Sequence, residues 1–154
     1  MATVTGSALT TKTGFRSAGN DTRLPFNLTT ASGVWTASDQ ATKIQIADVL
    51  YLGVIPAGFE IHDCLVIISA AFTASTTCSI GYKYVDGVDA TPNEDAAYFV
   101  PAGQALSSTA IFHKKGIKAP AKLTKAAFLT LTWAGAENAA SGVLDIDVVG
   151  TYSG

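Results

Sequence analysis

The chain has 154 residues, of which 48% are hydrophobic and only 14% charged, with a formal net charge of −2. That length suits one domain with its own core, and the near-neutral balance leaves no field to steer a polyanion, which argues against nucleic acid as a partner. No basic start followed by an apolar stretch marks a secretory leader, no apolar run reaches membrane-spanning length, and two cysteines are too few for a disulfide framework, so Cys64 and Cys78 read as free, buried thiols.

Residues 1–23 are rich in Thr, Ser and Gly and weakly patterned. They are expected to form an extended arm, ahead of a domain at 24–154. Such a segment cannot bury much of itself. It is either a loose terminus or an arm that orders on a neighbouring subunit. Under the second reading Lys12, Phe15, Arg16 and Arg23 are candidate contact residues.

Strand signals follow at 25–29, 43–46, 48–55, 59–72, 78–85, 97–100, 109–113, 128–134 and 143–152. The last two alternate cleanly. Leu129, Leu131 and Trp133 stand opposite Thr130 and Thr132, while Leu144, Ile146 and Val148 stand opposite Asp145 and Asp147. A period of two means one buried and one wet face. Pro56-Ala57-Gly58 is expected to turn the chain between two apolar strands, because Pro presets φ and Gly accepts a positive φ. A second Pro-Ala-Gly at 101–103 reads as punctuation between strands. Only 118–127 has room for a helical turn, and Pro120 opposes a long one. Many short strands with frequent turns indicate an all-β antiparallel sandwich of jelly-roll type.

The stretch 48–55 differs from the clean alternators, because both of its faces are apolar. Val49, Tyr51 and Ile55 are expected on one side, and Leu50, Leu52 and Val54 on the other, the outer one, as candidate interface residues. A subunit interface over the outer face would account for this. Trp35, among small polar residues, is either a core plug at a sheet end or an exposed anchor for a partner.

No constellation for catalysis stands out: there is no nucleophile elbow, P-loop or H-E-x-x-H pair. The chain therefore reads as a non-enzyme without cofactor or metal. His62 and His113 read as strand histidines. His62 and Asp63 are adjacent, so they point to opposite faces. The acidic loop 86–95 carries oxygen ligands that could suit calcium, but in a different order from the helix-loop-helix site, and it reads as a solvated loop.

The order of segments from about 40 to 152 carries a resemblance. LGVIPAG at 52–58 leads into FEIHDCLVII. AFTASTTCSIGYKYVDG follows, then EDAAYFVPAGQALSSTA, AAFLTLTWAG and the closing GVLDIDVVGTY. This succession resembles the decoration (cement) and head-associated structural proteins of tailed bacteriophages. The resemblance implies a β-sandwich displayed on the capsid surface of a virion, made in the host cytoplasm. Its implied partners are the major capsid protein and itself, as a homotrimer, and its implied work is mechanical bridging of capsomers. A tail, baseplate or fibre-attachment module and a carbohydrate-binding sandwich are the alternatives.

Overall fold

The computed structural model describes residues 21–38 and 41–152. Ten strands and no helix occupy them. They are β1 (Asp21–Ala31), β2 (Val34–Trp35), β3 (Val49–Ile55), β4 (Phe59–Ala70), β5 (Thr77–Tyr84), β6 (Asp95–Ala105), β7 (Ala110–His113), β8 (Ala121–Lys122), β9 (Ala127–Ala134) and β10 (Val143–Tyr152).

The pairing is nested. β5 pairs with β6, β4 with β7, β3 with β9 and β1 with β10, all antiparallel. Further pairing of β10 with β4 and of β9 with β5 joins these ribbons into two sheets. One runs β3-β9-β5-β6; the other runs β2-β1-β10-β4-β7, with β8 beside β4. The expected all-β antiparallel sandwich is therefore the observed fold.

Alternation explains why the sheets face each other. On β10, Leu144, Ile146 and Val148 are fully buried, while Asp145 and Asp147 lie on the outer face. On β9, Leu129, Leu131 and Trp133 point inward from the other sheet. Phe59, Ile61, Val66, Ile80 and Phe99 complete one continuous core. Each such side chain contributes about 1.5–3 kcal/mol by leaving water. Trp133 also satisfies its polar edge, donating from Nε1 to the Ala136 carbonyl at 2.7 Å, and meets the Phe72 ring edge-on at 5.4 Å.

The turn at 56–58 forms as its residues dictate. The Phe59 N–H donates to the Pro56 carbonyl at 3.3 Å, and Gly58 takes φ +83°. The second Pro-Ala-Gly does not end a strand. It lies inside β6, where Cys78 faces Gln104 but Ile80 faces Val100, so residues 101–103 bulge outward. A bulge keeps the strand paired on both sides of extra residues, which local turn chemistry cannot reveal.

Several other expectations change. The first strand begins at Asp21, so Arg23 belongs to the sandwich, paired through Asp147 at 3.0 Å. Residues 43–46 make only an isolated bridge, Lys43 to Val34. Ile44 there is buried, whereas Ile46 is exposed. The possible helical turn at 118–127 is instead the short β8 and the start of β9.

Candidate interaction surface

The outer face of the β3-β9-β5-β6 sheet can be built row by row from the register. Val54 stands beside Phe128 and Lys83, Tyr51 beside Thr130 and Gly81, and Val49 beside Thr132 and Ser79. Val49, Tyr51 and Val54 are each about half exposed, at 46%, 44% and 50%. The Tyr51 and Phe128 rings stack nearly parallel, with centroids 4.7 Å apart. A cross-strand aromatic pair on an open face holds its shape without the core's help.

This face differs from the expected one because β3 contains a bulge. Leu129 faces Gly53 and Thr130 faces Tyr51, so Leu52 is the extra residue. The bulge reverses the alternation partway along the strand. Leu50 and Ile55 therefore both turn inward, Leu52 is half-buried, and Val54 joins Val49 and Tyr51 outside. Of the expected outer trio Leu50, Leu52 and Val54, only Val54 is on the surface. The missed residues had signals in the sequence. Phe128 shares parity with Thr130 and Thr132, and a glycine inside a strand marks a bulge.

At Gly81 the backbone of residues 95–96 lies over this face, with the Asp95 carbonyl within 1.9 Å of where a Cβ would sit. A hollow of about 210 Å³ lies there, with Val49 and Tyr51 on one side, Thr130 and Thr132 in the floor, and Glu94 and Asp95 opposite. Lys83 also borders it.

The opposite outer face, on the β1-β10-β4-β7 sheet, mixes charge with aliphatic surface. Asp145 and Asp147 sit beside Ile67 and Leu65, and Ile111 beside Ile67 is 72% exposed. Arg23 pairs with Asp147, while the Asn27 amide donates to Asp145 at 2.8 Å.

The remaining candidate residues are structural in placement. Asp63 accepts hydrogen bonds from the backbone N–H of Cys64 (2.8 Å) and Lys114 (3.3 Å) and lies 2.9 Å from His113 Nδ1. Burial would raise its pKa, but these bonds outweigh it and hold the carboxyl below its ordinary value. His62 faces Glu60 at 3.6 Å rather than Asp63. Cys64 and Cys78 are free and buried on strands of opposite sheets, and burial pushes both thiols up to about 12. In the acidic loop, Asp86 pairs with Lys125 and Asp95 with Lys118. Asp89 accepts from the N–H groups of Ala90 and Glu94, both at 2.8 Å, and from the Asn93 amide at 3.0 Å. These carboxylates hold the loop's own backbone, and no group of potential metal ligands occurs among the described residues. Trp35 packs against the core edge with its indole N–H buried, so it fits the plug reading better than the exposed anchor. Lys12, Phe15 and Arg16 lie outside the described residues.

No family model matches this chain, and the search of curated proteins gives no match. Among solved structures, it is similar to a chain of the capsid of Ralstonia phage GP4. The TM-score is 0.61 at 11% sequence identity, with 94% of this chain and 92% of that chain covered. The two share a fold over nearly their whole lengths.

Proposed function

We propose that this chain is a structural protein of a bacteriophage virion, a decoration (cement) protein bound to the outer surface of the head. The observation that carries the reading is the likeness in fold to a phage capsid chain over 94% of this chain. The strand order supports a jelly roll. The nested pairs β1·β10, β3·β9, β4·β7 and β5·β6 are what one long ribbon gives when it is rolled into a two-layer sandwich. The half-exposed Val49, Tyr51 and Val54 beside Phe128 suit contact with protein.

In this reading the partners are the major capsid protein and further copies of the chain, in trimers at three-fold positions. The work is mechanical, and the chain is not an enzyme. Contacts that exist only in the assembled shell shift the equilibrium toward it, and many weak sites on a lattice act together. Copy number in purified particles tests this. Parity with the shell protein, or a simple fraction of it, is the expected result. A handful of copies per particle moves the chain to the tail, baseplate or fibre attachment, and absence removes the virion reading.

A further inference from the structure

We propose that the open edge of β3 pairs with the same edge of a second copy of this chain. The two strands run antiparallel about a two-fold axis at Leu50, and the two four-stranded sheets become one continuous sheet. The inference is independent of the virion reading. It rests on which backbone groups of β3 lack a partner and on where the exposed apolar side chains gather. A two-fold contact through this edge leaves the other surfaces open to a three-fold one.

The ladder around Val49 fixes the direction of its backbone. The Trp133 N–H donates to the Asp48 carbonyl at 2.8 Å, while Val49 stands opposite Thr132. A residue flanked in this way in an antiparallel ladder forms a non-hydrogen-bonded pair, so its own N–H and C=O point away from β9. The register is unbroken to Tyr51 opposite Thr130, so Tyr51 points its N–H and C=O the same way. β3 is the end of its sheet, and no strand of the described residues meets these groups. Space remains beside them, a hollow of about 260 Å³ lined by Trp35, Ser38, Asp48, Val49, Leu50 and Tyr51.

The other open edges are guarded. On β1 the Thr30 N–H donates to the Gly142 carbonyl at 2.9 Å, so by parity Pro25 faces away from β10 and leaves a gap in the donors of that edge. β6 carries Pro101 and the 101–103 bulge. β2 has 2 residues, and β7 has 4 and is followed by Lys114 and Lys115. Proline, bulges, shortness and lysine are the usual means of keeping a strand edge single. β3 reads Val-Leu-Tyr-Leu-Gly-Val-Ile, with no proline and no charge, and its bulge at Leu52 leaves 49–51 regular. The exposed large apolar side chains gather here as well, with Ile46, Val49, Tyr51 and Val54 all in this one stretch.

The edge is complementary to itself. About an axis at Leu50, Val49 of each copy opposes Tyr51 of the other, and the N–H groups of each edge meet the carbonyls of its mate. A branched side chain beside an aromatic one is a favourable cross-strand pair. Antiparallel pairing also brings the Ile46 end of one copy to the Val54 end of the other, which covers apolar surface at both ends. The nearest acid, Asp48, then stands about 14 Å along the strands from its counterpart, beyond a Debye length of about 8 Å in physiological salt, so like charges do not oppose the contact. An uncharged edge gives a charged foreign peptide nothing to select, whereas a second copy matches it group for group.

Light scattering and amide hydrogen exchange of the full chain test the proposal. Self-association is expected, with the Val49 and Tyr51 amides exchanging more slowly as the concentration rises. Contact through any other surface leaves those two amides unchanged. Val49→Pro removes an outward donor at the first residue of β3, where no bond to β9 is lost. It should weaken the contact about thirtyfold, a factor of about five for each of the two hydrogen bonds lost across the axis. Tyr51→Lys keeps the backbone donor and should weaken the contact by placing a charge on the edge. Circular dichroism checks that the variants fold; if Val49→Pro does not, Tyr51→Lys and the two amides of the parent chain decide. A monomer at concentrations up to about 100 µM overturns the proposal, including one whose edge amides become protected only against another protein. So does an oligomer whose two amides exchange as fast as in dilute solution, or one that a folded variant forms as tightly as the parent.

Discussion

Phe26 of β1 lies over Gly53 of β3, so close that a Cβ on the glycine would sit 2.5 Å from the ring's Cε1. Gly53 lies on an edge strand of its sheet, and Phe26 on a strand that has β2 outside it only at Thr30 and Ala31, so the ring closes that side of the sandwich. Gly53 also follows the bulge that decides which β3 residues face out. One glycine thus serves both core closure and surface composition. Gly53→Ala is expected to cost about 1–3 kcal/mol through overpacking. In a Phe26→Ala background the same change should cost much less. Urea unfolding of the four chains of this cycle measures the coupling, and additive losses would refute the contact.

Gly81 presents a harder limit, because the atom in the way is a backbone oxygen, that of Asp95. A ring can tilt, but a paired strand cannot withdraw without losing its ladder. Gly81→Ala is expected to destabilise by about 3 kcal/mol or more, or to prevent folding. Thermal unfolding checks it; a loss below that for Gly53→Ala would contradict the ranking.

Asn138 is fully buried and acts as a polar hub. Its amide donates to Thr30 Oγ1 and to the Ala140 carbonyl, both at 3.2 Å, and its Oδ1 accepts from the Thr73 hydroxyl at 3.1 Å. Asn138→Ala strands those partners away from water and is expected to cost about 2–4 kcal/mol. Chemical denaturation gives the figure; a loss under half of it would mean that water replaces the side chain.

Acid should weaken the fold through carboxylates whose pKa values are lowered by their partners. Asp63 is one, held down by Cys64, His113 and Lys114, and Asp95 is another, held by the Ala97 N–H and Lys118. A depressed folded-state pKa gives stability that is present above the unfolded value of 3.8 and lost as the pH falls through the folded value. Stability should therefore drop below about pH 4, and Asp63→Asn should flatten that drop. Unfolding midpoints measured from pH 6 to pH 2 test the slope; an unchanged slope in the variant removes Asp63 from the account.

Cys64 and Cys78 should be unreactive toward an alkylating reagent at pH 8 in the folded chain. Burial hides both thiols and pushes their pKa to about 12, so thiolate is scarce. Both should react once urea unfolds the chain. Mass spectrometry of the alkylated protein reads this, and labelling of either in the folded state would show local opening of β4 or β5.

The sequence by itself determined the class of fold. Strict alternation at 128–134 and 143–152 needs no partner to be read, because the pleat repeats every two residues. The Pro56-Ala57-Gly58 turn was equally local, set by a fixed φ and a permissive one. The core roles of Trp133, Ile146 and the cysteines followed from those patterns. What only the tertiary structure decided was register. Bulges at Leu52 and at 101–103 depend on where β9 and β5 lie, not on the bulged residues alone. They moved Leu50 inward, put Val49 and Tyr51 on the surface and kept the second Pro-Ala-Gly inside a strand. The hollow on that face joins Tyr51, Thr130 and Glu94, which only sheet pairing brings together. A one-residue slip turns every following side chain to the other face. For that reason the composition of the outer surface, and with it the candidate interaction surface, became legible only once the strands were paired.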